Sequence, residues 1–167
     1  MIDIKILGLD ASLSCTGRCI LENNKVISYG KIQTKKSDFD NDLQRLKHIT
    51  DEIEKIAIQN KIKIAALEDS IPVKSSRSVM QLNILKGELI RALQMNQIDI
   101  DLIFPSSVKK LVTGNGRATK EIVAKYIQEN YIDIGEYSDK QGKNKTSDIY
   151  DAISIAIAHN NNKMLKE

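Results

Sequence analysis

Tryptophan is absent from the 167 residues, and 5 Tyr and 2 Phe bring the aromatic content to only 4%. That excludes the broad aromatic platforms on which single-stranded bases stack. Cys15 and Cys19 are the only cysteines, and His48 and His159 the only histidines, too few soft ligands for a structural zinc site. On an extended backbone the two thiols share one face about 13 Å apart, beyond the reach of a disulfide, so a reduced pair in a reducing compartment is expected. No apolar run approaches the roughly 20 residues of a membrane span. The opening MIDIKILGLD has neither a basic leader nor a long apolar core, and a soluble cytoplasmic protein without membrane contact is expected. One-sided charge is lacking too: 25 Lys and Arg against 22 Asp and Glu leave +3, too little to diagnose a nucleic-acid partner from the total.

What is present is a globular balance of 41% hydrophobic and 28% charged residues, with an aliphatic, isoleucine-rich core and length for one domain spanning 1–167. Residues 3–10 (DIKILGLD) read as a buried strand ending in an acid, followed by the small-residue turn ASLSCTG. Cys15 to Leu21 and Val26 to Thr34 flank the polar tetrad Glu22-Asn23-Asn24-Lys25, so a hairpin completes three antiparallel strands. Leu43, Leu46, Ile49, Ile53 and Ile56 then mark an amphipathic helix of about five turns. A short strand over 62–67 ends at Glu68, a polar loop surrounds Pro72, and a second helix runs over 78–96. A strand over 98–104 is stopped by Pro105. A short helix over 108–112 follows, then the turn TGNGR, whose glycines permit positive φ, and a helix over 119–131. Residues 138–146 (SDKQGKNKT) are polar and aperiodic, and a mobile loop is expected there. A last helix over 147–160 is nearly all apolar. The order predicts an α/β protein with a mixed five-stranded sheet flanked by helices, whose chemistry lies outside the carboxyl ends of its parallel strands.

Two acids sit at such ends, Asp10 after KILGL and Glu68 after IKIAAL, and Asp148 and Asp151 occur at i and i+3 in the first turns of the last helix. Taken singly, each has a plainer use. Asp10 caps a turn, Glu68 pairs with a surface lysine, and Asp148 is an acid favoured by the helix dipole. Asp151 fits such a role less well, because Ala152, Ile155 and Ala158 turn that face toward the core. If the two strands are neighbours, the four carboxylates converge and need counter-charge, which hard divalent cations supply; Mg²⁺ is the natural expectation.

With these residues in place, the chain resembles the RuvC family of Holliday-junction resolvases, of RNase H-like fold, and in particular its bacteriophage-type members. The resemblance rests on LGLDASLSCTG (7–17), ALEDS (66–70) and SDIYDAISIAIAH (147–159), in that order and spacing. It implies that Asp10, Glu68, Asp148 and Asp151 are catalytic acids binding two Mg²⁺ ions, with Mn²⁺ as a substitute, held about 3.5 to 4 Å apart for in-line attack on a phosphodiester. It further implies a homodimer that nicks four-way DNA junctions symmetrically, in a bacterial host's cytoplasm if phage-encoded. Lys109 and Lys120 match family positions that hold the DNA backbone. Lys110 and Arg117 flank the same glycine turn, Lys74 and Arg77 follow Glu68, and Lys140, Lys143 and Lys145 precede the acid pair. Each doubles as an ordinary solvated residue, and as phosphate contacts they make binding salt-dependent but carry little sequence information.

Two departures from the family stand out. Bacterial relatives place an aromatic shortly after the second acid, where this chain has Ile71, an aliphatic wedge that predicts relaxed sequence preference and activity on three-way junctions and forks as well. The family's DPG opening is here Asp10-Ala11-Ser12. The helix over 78–96 carries apolar residues on several sides, which suits either a dimer interface or packing on its own sheet. An actin-fold phosphotransferase shares the strand-Asp-small-turn opening but needs a second lobe that this length cannot supply. A junction-binding protein with little cleavage would be expected to lack an acid, and none is missing. An RNase H-like nuclease acting on RNA/DNA hybrid or structured RNA uses the same acids, so it stays open.

Overall fold

The computed structural model describes residues 4–69, 76–140, 142 and 145–165. Strands β1 (Lys5–Asp10), β2 (Cys15–Glu22) and β3 (Lys25–Gln33) are followed by α1 (Asp42–Gln59), β4 (Ile64–Glu68), α2 (Arg77–Met95) and β5 (Asp99–Ile103). Helices α3 (Pro105–Thr113), α4 (Lys120–Asn130) and α5 (Ser147–Met164) complete the order. The sheet runs β3-β2-β1-β4-β5. Its first three strands are antiparallel, and β4 and β5 join parallel to β1, as the sequence predicts.

Local chemistry sets the joints. Asn23 and Asn24 both adopt positive φ between β2 and β3, the backbone that a two-residue hairpin demands and asparagine tolerates. Asn41, Ser76 and Thr119 cap α1, α2 and α4, each accepting a hydrogen bond from a backbone N–H of the first turn. Pro105 does more than end a strand: it is the first residue of α3, where its fixed φ suits a helix start and its missing N–H is not needed. Helix α3 is therefore longer than predicted. Gly114 alone of the two turn glycines takes positive φ; Gly116 instead lies against Ser106 O and the Lys110 side chain. Helix α5 continues four residues past the predicted end.

The alternation of strand side chains builds two cores. Leu7, Leu9, Ile20, Ala65 and Leu67 face α1 and α2, where they meet Leu46, Ile49, Ile53, Leu85, Leu89 and Leu93. Ile6, Cys19, Leu21, Ala66 and Ile103 face the other way, toward α5, α3 and α4. Helix α5 is buried along most of its length, from Ser147 to Ala158, because α3 and α4 cover its outer side. Of the apolar residues on α2, Leu85, Leu89 and Leu93 turn into the core, whereas Met80, Ile84 and Met95 remain exposed. Both cysteines are buried and free. Among the described residues, no helix is long and apolar enough to cross a membrane.

Candidate functional site

Strand parity decides where the acids point. Along β1, Ile6 and Gly8 face α5, so Asp10, two residues on, faces it as well; along β4, Ala66 faces α5 and so does Glu68. The parallel register Leu9↔Leu67 makes Asp10 and Glu68 neighbours at the carboxyl rim of the sheet. Asp10 also lies opposite Gly17 on β2. Gly17 is the point where α5 touches the sheet: a Cβ built there would stand 1.9 Å from the carbonyl oxygen of Asp148. Gly8 serves the next turn of α5 in the same way, since its Cβ would stand 2.3 Å from the carbonyl oxygen of Ala152. The missing side chains let α5 descend onto β1 and β2, bringing Asp148 and Asp151 beside Asp10.

The loop after Asp10 is held closed. Thr16 Oγ1 donates to Ser12 O at 2.6 Å and accepts from Ser12 N at 3.1 Å. Arg45 of α1, buried, reaches across to donate to Leu13 O at 3.1 Å and to Thr34 Oγ1 at 3.2 Å. Arg45 is a residue that sequence reasoning missed; a charged residue beside Leu46 on a buried helical stripe was the available signal.

The convergence has an electrostatic consequence. Asp10 is pushed up to about 8, first by burial and then by the charges of Asp151 and Asp148, with Lys120 opposing. Burial also raises Glu68 and Asp151, each relieved by Lys120. Lys120 Nζ, at the start of α4, lies 2.6 Å from Asp151 Oδ2. Lys145 Nζ lies 2.8 Å from Asp148 Oδ2 and donates to Oδ1 at 3.2 Å. Asp148 Oδ2 itself is closed from solvent and accepts no well-formed hydrogen bond. Lys86 of α2 donates to the Glu68 carbonyl at 2.7 Å, and burial lowers it against the pull of Glu68, Asp69 and Asp10. Neither Lys86 nor the pairing of Lys145 was legible beforehand.

With lysines holding Asp148 and Asp151, no group of three His, Cys, Asp or Glu side chains among the described residues is arranged to hold an ion as it stands. The donor chemistry nevertheless fits one. The converging oxygens are hard carboxylate donors, they outnumber the ammonium groups paired with them, and Asp148 Oδ2 is a buried acceptor that the Lys145 ammonium neutralises without a well-formed hydrogen bond.

The predicted basic residues divide. Lys120 belongs to the acid cluster, and Lys109 of α3 is near enough for its charge to act on Glu68. Lys110, one residue on, instead lines a cavity of about 750 Å³ with Asp101, Leu111 and Asn161, away from the acids. Arg117 is exposed on the glycine turn. Arg77 points to α1, 3.9 Å from Asp42, and does not join the acids. Ile71, Lys74 and Lys143 lie outside the described residues. The ends of the loop expected to be mobile are tied together, with Thr146 N and Ser147 N both donating to Ser138 O at 3.0 Å.

The sequence matches the family model of the crossover junction endodeoxyribonuclease RuvC over residues 6–159. Its relatives include the RuvC proteins of Ehrlichia ruminantium strain Gardel, 33% identical over 93% of this chain and 96% of that protein, and of Caldicellulosiruptor saccharolyticus, 28% identical over 93% and 92%. Among solved structures, Thermus thermophilus RuvC superposes with a TM-score of 0.77 at 15% identity, covering 98% of this chain and 97% of its own. The same enzyme bound to a Holliday junction substrate also gives 0.77 at 15% identity, over 97% and 96%. The RNase H-like arrangement expected from the resemblance is thus the one found. The chain belongs to the RuvC family of crossover junction endodeoxyribonucleases.

Proposed function

We propose that this endonuclease resolves four-way DNA junctions by divalent-metal-dependent hydrolysis of phosphodiester bonds, with Asp10, Glu68, Asp148 and Asp151 as the metal-holding catalytic acids. The observation that carries the reading is the convergence of these four carboxylates, from two strand ends and one helix start, at the rim of a RuvC-family fold. Mg²⁺, two ions per site, is the assignment, since every donor is a hard oxygen. When bound, the ions supply an activated water and charge relief for the leaving oxygen. The chain's own contribution is to hold Asp10 and Glu68 side by side and to bring α5 onto them through Gly8 and Gly17. Lys109 and Lys120 flank the acids and take phosphate oxygens of the strand to be cut. The bound junction in the Thermus thermophilus structure supports branched DNA as substrate, and Ile71 supports tolerance for three-way junctions and forks. A second copy is assigned to the outer face of α2, where Met80, Ile84 and Met95 stand exposed beside Leu43 of α1.

The test is cleavage of a labelled mobile four-way junction beside a linear duplex, an RNA/DNA hybrid and a three-way fork, with Mg²⁺ and with chelator. Paired nicks in the junction that vanish with chelator, and that Asp10→Asn reduces by orders of magnitude while retaining junction binding, are expected. Cleavage of the hybrid alone would replace junction resolution with RNA removal, and near-normal cutting by the Asp10 variant would take that residue out of the site.

A further inference from the structure

Lys145 stands three residues before Asp148, and its ion pair differs from that of Lys120 with Asp151. The Lys145 and Asp148 side chains are 19% and 11% exposed, whereas Lys120 is 57% exposed. Its main chain is anchored independently of its ammonium. Lys31 Nζ, from β3, donates to Lys145 O at 2.8 Å and to Gly142 O at 3.3 Å. Lys145 N donates to Gly142 O at 3.2 Å, and Thr146 Oγ1 donates to Glu136 O at 2.7 Å. The ammonium can therefore leave Asp148 by side-chain rotation while the backbone stays pinned. Asp10 and the Cys15 thiol also face the ammonium. The group remains a cation lodged against a buried carboxylate.

We propose that Lys145 is the resident counter-cation of Asp148, which a divalent ion must displace, so that this one side chain sets the ion concentration at which the site loads. The inference rests on the metal-dependent reading above. Lysine suits the role: a compact point charge on a flexible stem neutralises the acid, and it departs without unfolding the loop. An arginine would fork across the carboxylate and compete harder.

The experiment is Mn²⁺ binding to the full-length, DNA-free protein, read by calorimetry and by the paramagnetic signal of free Mn²⁺. Lys145→Gln is expected to tighten Mn²⁺ binding about threefold to tenfold, the scale of removing one partly screened positive neighbour. Lys145→Arg is expected to weaken it. A merely structural lysine would not give shifts of opposite sign. Lys145→Met repeats the first arm with a variant that leaves no polar group behind, and melting in chelator establishes that each variant is folded. Unchanged or weaker binding by both neutral variants overturns the proposal. Asp148→Asn separates the two readings: if it abolishes Mn²⁺ binding while the neutral lysine variants leave it unchanged, only the Lys145 inference fails. If Asp148→Asn leaves binding intact, the acid site itself fails and the inference falls with it.

Discussion

The two faces of the sheet are packed by different rules. On the α1 and α2 side, large aliphatic residues of strands and helices interleave, with Leu7, Leu9 and Leu67 against Ile49, Ile53, Leu85 and Leu89. On the α5 side, large residues also pack, but the closest approach is made by small ones: Gly8 and Gly17 on the strands, Ala152 and Ala156 on the helix. The first arrangement needs only shape and apolarity, which many sequences supply. The second fixes the distance between a helix start and two strand ends, and that distance carries the acids. Stability is spread over both faces, but the geometry of the site belongs to one.

The sharpest way to break this comparison is to change one residue on each face. Gly17→Ala places a Cβ where the Asp148 carbonyl stands 1.9 Å away, and a backbone atom at a helix start cannot give way without moving Asp148. Cleavage is expected to fall by about 100-fold, the effect of a displacement near 1 Å at reacting groups, with a stability loss of about 1 to 3 kcal/mol from overpacking. Leu85→Ala on the other face is expected to cost more stability, about 2 to 5 kcal/mol, while the cleavage rate of the folded protein stays within about twofold. Urea unfolding and junction cleavage on the same preparations decide it. If both variants lose activity in proportion to stability, the faces are not functionally distinct.

A smaller effect separates the faces by pH. Asp10 rises from 3.8 to about 8 in the fold, chiefly through burial, and Glu68 and Asp151 are displaced in the same direction. The protonated forms are therefore favoured on folding. Their stabilisation is complete below the ordinary carboxylate range and is lost as pH rises through about 8. In chelator, the protein is expected to lose on the order of 2 kcal/mol between about pH 5 and pH 8. Asp10→Asn should flatten most of that slope and be the more stable protein at the alkaline end, although inactive. Urea midpoints that are level with pH in the parent protein would show that the lysines already neutralise the cluster. The strand residues that meet α1 and α2, Leu7, Leu9, Ile20, Ala65 and Leu67, are apolar and bring no carboxylate into that contact.

The same contrast explains what the sequence made legible. The α1 and α2 face follows periodicity, so its helices and their buried stripes could be drawn from leucine and isoleucine spacing alone. Asp10 and Glu68 were also readable, because an apolar run that ends in an acid is a local pattern. Their meeting required the parallel register of β1 with β4, which only the tertiary fold settles. Gly17 was visible within a Thr-Gly step, but its reason, a helix carbonyl pressed against it, lies 131 residues away at Asp148. Lys86 and Lys145 look like ordinary helix or loop cations in sequence, since no local rule says which one is turned inward. Conversely, Lys110 and Arg77 carry the right charge near the right motifs, but they project away from the acids, because adjacent helical residues point in different directions.

The smallest expected effect tests whether the cations of the acid-bearing face, and not the basic residues at large, grip DNA. Lys109 and Lys120 flank the carboxylates, whereas Lys47 lies exposed on α1 in an ion pair with Asp51. Each phosphate contact contributes about 0.9 units to the slope of log affinity against log salt on duplex arms. Replacing Lys109 and Lys120 together by alanine should therefore make that slope shallower by between about one and two units, the lower figure applying if one of the two does not reach a phosphate. Lys47→Ala should leave the slope unchanged, since its face is turned from the site. Binding measured with chelator present and cleavage blocked isolates the electrostatic contribution. Equal shifts from both sets of variants would mean that DNA senses only the total charge, and would deny the α5 face its special role in holding substrate.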